Sequence, residues 1–70
     1  MTHLTLAKKA GKNLKNLIKN SKFKTQEEFA EAMFVDPSTV RRWIANGIRD
    51  LNLIEQIAVV FGIDFMELLK

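Results

Sequence analysis

The sequence predicts an all-α fold, a compact five-helix bundle, on three observations. Apolar residues recur at helical spacing in five stretches, and capping residues stand at the ends of those stretches. The chain is 47% hydrophobic with only one Pro and three Gly, a composition that packs more readily as helices than as turn-rich strands. Its 70 residues make one domain, and a chain this short buries only about 60% of its unfolded surface. The domain is expected to cover residues 1–70, with residues 1–6 as a flexible arm, because they show little periodicity and termini fray unless tied down.

The first helix is expected over Leu6 to Asn20. Leu6, Ala10, Leu14, Leu17 and Ile18 gather on one side, and Lys8, Lys12, Lys15 and Lys19 step down another. Gly11 in its middle costs roughly 1 kcal/mol relative to Ala, so the firmest part begins at Lys12. Ser21 to Lys24 then forms a short link with Phe23 tucked beneath it.

The stretch Thr25 to Gly47 holds two short helices. Thr25 is an N-cap candidate with Glu28 three residues on, a capping box, and Phe29, Ala30 and Met33 form the core face behind it. Glu27, Glu28 and Glu31 point away. Asp36 before Pro37 marks the next start: Asp can accept from free amides, and Pro at the first helical position gives up only a donor that had no partner. Val40, Trp43 and Ile44 form the buried stripe of this helix, and Gly47 is expected as a left-handed C-terminal cap. The tight turn falls at Phe34 and Val35. On a wheel of about 100° per residue the face opposite the stripe carries Ser38, Arg41, Arg42 and Ala45.

A fourth helix is expected over Leu51 to Phe61 from Ile54, Ile57, Ala58 and Phe61, with Asp50 or Asn52 as N-cap and Gly62 as C-cap. Asp64 with Glu67 is a further capping box for a short last helix, whose apolar side is Phe65, Leu68 and Leu69.

Composition narrows the function classes. The chain has no Cys, which removes disulfides and thiolate metal sites, and His3 stands alone without a second ligand, the usual mark of a solvated side chain. No cofactor or metal is expected. No nucleophile with a base, carboxylate pair in a cleft or phosphate-binding glycine loop is recognisable, so the chain is not expected to be an enzyme. No apolar run approaches the roughly 18 residues that span a bilayer, and no secretory signal is apparent; the expected location is cytoplasmic. Charge is divided: residues 1–24 hold seven Lys and no acid, residues 25–70 hold four bases and eight acids, and the net is +3. The lysine stripe admits three readings, a solvated face, a phosphate-binding face or a face laid on an anionic membrane. The first helix has no Trp or Phe on its apolar side, which tells against the last.

With TQEEFA and STVRRW separated by a short turn, an NG close and FGIDFMELL at the end, the chain resembles the Cro/phage-repressor type of helix-turn-helix domain, the XRE family, over about residues 12–69. Gln26, Ala30, Val40 and Trp43 stand where that family places a polar helix start, a small close-packing residue, a buried aliphatic and a bulky apolar anchor. The resemblance implies a lambda-repressor-like fold with the helix-turn-helix at residues 25–46. It further implies a recognition helix over Pro37 to Ala45 in the major groove of double-stranded DNA, and a complete small bacterial or phage repressor that binds palindromic operators as a homodimer. Base contacts are then expected from Ser38, Arg41 and Arg42 with Pro37 and Thr39 beside them, and phosphate contacts from Thr25, Gln26, Lys12, Lys15, Lys19, Asn46 and Arg49. Val59, Val60, Met66 and Leu69 are the candidates for a dimer face.

Three departures from the family pattern carry expectations. Phe34 stands where Gly is usual, so either the second helix runs on through it or Phe34 is strained at positive φ. Lys19 faces Ile44 where an acid often pairs it, and Pro37 removes a side chain that often reads a base. As isolated residues, Arg41 and Arg42 read as surface charges free to pair with Glu27 or Glu31. The alternative function is a protein-interaction module of antitoxin-like or anti-regulator type, built on the same fold and using Phe34, Ile48 and the apolar end as its surface.

Overall fold

The structure, a computed structural model, describes the backbone of residues 2–70 and the side chains of residues 6–70. Its helices are α1 (Thr2–Lys19), α2 (Gln26–Met33), α3 (Pro37–Asn46), α4 (Leu51–Phe61) and α5 (Met66–Leu69), with no strand among the described residues. The Cα radius of gyration is 10.8 Å, close to the roughly 11 Å of a compact chain of this length.

Each helix sends one large side chain into full burial: Leu14, Phe29, Val40, Ile57 and Leu68. Burying a side chain of this kind contributes about 1.5–3 kcal/mol, and five of them meeting in one place make the core. Around it Phe29 stacks on Phe61 with ring centroids 5.2 Å apart, and Phe23 meets both edge-on at 5.6 and 5.7 Å. The link after α1 is therefore pinned. Trp43 and Ile44 are half-buried, so the stripe of α3 is shallower than the periodicity suggested, with Val40 alone fully covered.

The backbone of α1 is helical from Thr2, through the stretch read as an arm; the side chain of His3 lies outside the described residues. Ala7, left out of the expected apolar face, is buried, whereas Leu6 is 41% exposed. The reason lies in how α1 meets α3. A Cβ on Gly11 would stand 2.5 Å from the Trp43 carbonyl oxygen, and one on Gly47 would stand 2.7 Å from the Ala7 carbonyl carbon and oxygen. The two backbones pass so closely that glycine is needed on both sides. Gly11 is a packing residue here, not merely a weak point of the helix.

Gly47 does not adopt the expected left-handed cap. Its φ of 96° and ψ of 170° lie in a region essentially reserved for glycine, and the chain leaves α3 extended at once. That departure carries the Ile48 amide to the Ala7 carbonyl at 3.0 Å and buries the Ile48 side chain.

The other ends follow their residues with three corrections. Thr25 Oγ1 accepts from the Glu28 amide at 3.2 Å, but the reciprocal half of the box is absent, because the Thr25 amide already donates to Phe23 O at 2.6 Å. Asp36 occupies the N-cap position of α3 without a side-chain cap bond; Pro37 offers no amide, and the Asp36 carbonyl, not its carboxylate, takes the Thr39 amide at 2.9 Å. Asp50, rather than Asn52, caps α4 by accepting from the Asn52 and Leu53 amides. Asp64 Oδ1 accepts from the Met66 amide at 3.1 Å, while Glu67 turns outward to Lys70 instead of closing a box.

Phe34 resolves into the strained alternative. α2 stops at Met33, and Phe34 sits at φ 61°, ψ 41° with its side chain 95% exposed. Its amide donates to Glu31 O and the Val35 amide to Ala30 O, the double bond of a Schellman cap. The same pair of bonds closes α4, where Gly62 takes the left-handed position.

Candidate nucleic-acid interface

The site is assembled from the start of α2, the outward side of α3 and the last turns of α1. Ser21 holds the link between them: its hydroxyl donates to Ile18 O at 2.9 Å and accepts from the Phe23 amide at 3.1 Å. Lys24 then takes φ 63°, which swings the chain into the Thr25 cap. The outcome is a cleft lined by Lys15, Lys19, Lys24, Thr25, Gln26, Glu27 and Arg41 over a floor of Ile18. Four cations and one carboxylate share it, beside the amides that open α2, a combination suited to an anion.

Along α3, Ser38, Arg42 and Ala45 are exposed and point away from Val40, while Thr39 is half-buried beside them. Arg42 Nη2 approaches Thr39 Oγ1 at 3.4 Å, so the two polar side chains lie together. Arg41 departs from this face. At about 100° per residue it stands a quarter-turn from the outward direction, toward α2, where its Nη1 lies 3.7 Å from Glu27 Oε2. That pair is solvent-exposed and contributes at most about 1 kcal/mol.

Of the residues expected at phosphate, Lys15, Lys19, Thr25 and Gln26 share the cleft. Lys12, a turn further back on α1, and Asn46, at the far end of α3, are exposed but do not line it. Arg49 borders a different, apolar groove with Leu6, Ile48, Leu51 and Leu69. Pro37 is half-buried at the start of α3. Lys24 lines the cleft without being among the expected contacts, its signal being the basic link before the Thr25 cap, and Glu27 enters as one of the two carboxylates expected to pair with Arg41 as a surface charge.

The dimer-face candidates divide between two places. Val59, 78% exposed, and half-buried Val60 border a groove with Met33 and Phe34, whereas half-buried Leu69 belongs to the groove of Leu6 and Leu51. Met66 is 50% exposed and lines neither. Among the described residues no helix is long and apolar enough to cross a membrane, and no three His, Cys, Asp or Glu side chains gather as metal ligands.

Comparison with known proteins finds no matching family model, no similar curated protein and no matching solved structure. The functional reading rests on the residues and their arrangement.

Proposed function

We propose that the domain binds double-stranded DNA selectively, as a helix-turn-helix repressor of the XRE kind, with α3 in the major groove and α2 against the backbone. One observation carries the reading: the exposed polar face of α3 stands beside a cleft that holds Lys15, Lys19, Lys24 and Arg41. Phosphate contacts position a protein and base contacts specify the site, and the two surfaces divide in that way. Ser38 and Arg42 read base edges, Arg42 favouring guanine, with Pro37 and Thr39 shaping the end that enters the groove. A homodimer on a palindromic operator completes the proposal.

Selection of sites from random duplexes at near-physiological salt tests binding, specificity and palindromy together. On a selected site Arg42→Ala loses about 1–3 kcal/mol and on random duplex much less; equal losses on both would exclude base reading. Lys15→Ala lowers the magnitude of the salt slope by about one on either duplex.

A second reading, a protein-interaction module, is favoured by Phe34 and Val59, which stand 95% and 78% exposed beside one groove. Under the DNA reading Phe34→Ser leaves retardation of a single half-site duplex unchanged. Absence of retardation at any salt in the folded wild-type protein favours the module.

A further inference from the structure

Glu27 is the one carboxylate in a cleft of four cations, and its partner is the arginine that turns away from the outward face of α3. Resting on the DNA reading above, we infer that Glu27 restrains this interface: it holds Arg41 on the backbone side, makes it a phosphate residue rather than a base reader, and caps the sequence-independent attraction of the cleft.

Three observations support it. The 3.7 Å pair joins α2 to α3 across the cleft, so Arg41 lies with Lys15, Lys19 and Lys24 while its neighbour Arg42 lies with Thr39. The two adjacent arginines thus have different surroundings although the sequence gives them equal claims. The pair is also open to solvent, 57% and 66% exposed, and the core neither covers nor requires it. Finally, Glu27 has a neighbour for comparison. Glu28 lies in the same first turn of α2 and does the same work for the helix dipole; both border a second groove with Glu31 and Pro37, but Glu28 does not line the cation cleft.

The chemistry of the restraint is competition. A phosphate entering the cleft must take Arg41 from Glu27 and tolerate a carboxylate beside it. One unit charge at that separation in water shifts an association constant by up to about fivefold, and the effect fades as salt shortens the Debye length.

The test compares Glu27→Gln, Glu28→Gln, Arg41→Ala and Arg42→Ala with wild type, on a selected site and on random duplex, along a salt series. Glu27→Gln is expected to tighten both complexes about threefold or more at low salt and to steepen the salt slope by about one ion, with Glu28→Gln well short of either change. Arg41→Ala is expected to weaken both duplexes by the same factor, whereas Arg42→Ala weakens the selected site far more than random duplex. Equal gains from Glu27→Gln and Glu28→Gln overturn the inference, since net charge would then explain them, and so does a loss from Arg41→Ala confined to the selected site. In both cases wild-type binding leaves the DNA reading standing. If folded wild type retains no duplex, the reading fails and the restraint falls with it. All four side chains are exposed, and circular dichroism confirms that each variant is folded before binding is scored.

Discussion

Phe34 carries a conformational cost and receives no burial in return. An L side chain in the left-handed region loses roughly 1–2 kcal/mol, and this one is 95% exposed, so no burial of the ring offsets it. Phe34→Gly relieves the crowding but loosens the unfolded chain, which returns part of the gain. The net expectation is about 0.5–1 kcal/mol of added stability and a melting temperature higher by a few degrees. A calorimetric scan with no rise would show that the turn carries no strain. Gly11 makes the opposite case. In an ordinary helix Gly→Ala gains about 1 kcal/mol, but here the new methyl meets the Trp43 carbonyl at 2.5 Å. Overpacking of that order costs about 1–3 kcal/mol, so Gly11→Ala is expected to destabilise, seen as a lower urea midpoint at unchanged slope.

At the scale of the element, α5 shows how a four-residue helix is kept in place. Its last carbonyls have no partners within the helix, and Asn13 of α1 supplies one: Nδ2 donates to Leu68 O at 2.8 Å, with Glu67 O at 3.5 Å. Asn13→Ala removes a bond of about 1 kcal/mol, so amides of α5 should exchange roughly fivefold faster with little change in α2 and α3. Uniform acceleration would mean that α5 opens only with the whole domain. The helices themselves were legible because their signals are local: periodicity, Thr25, Asp50, Asp64, Pro37 and Gly62 place most ends to within a residue or two. The Asn13 clasp was not, since donor and acceptor are 55 positions apart and Asn13 looks like any other polar residue of an amphipathic helix. Gly11 was misread for the same reason. What demands a glycine there is Trp43, on another helix.

For the whole molecule the charge division matters most. The seven lysines before Thr25 and the arginines of α3 are far apart in sequence, yet the fold brings Lys15, Lys19 and Lys24 to Arg41. The outward direction of Ser38 and Arg42 and the quarter-turn offset of Arg41 could be read from a helical wheel, whereas the carboxylate that Arg41 meets on that side could not, because it depends on where α2 lies. If Lys15 belongs to the working surface, its loss lowers the salt slope, and Arg49→Ala, on the apolar groove, leaves it unchanged. Equal effects of the two would locate the attraction in net charge.

The close passage of α1 over α3 also bears on how the chain is made. α1 precedes the other helices in the chain, but it packs mainly against α3 and α5, with Gly47 seated under Ala7. Its native neighbours are therefore mostly distant in sequence, and closing such long loops costs entropy before any contact repays it. On the ribosome α1 lacks part of its cover until α5 emerges. The basic stripe, which the proposed function sets against phosphate, would meanwhile keep an unpaired amphipathic helix in solution.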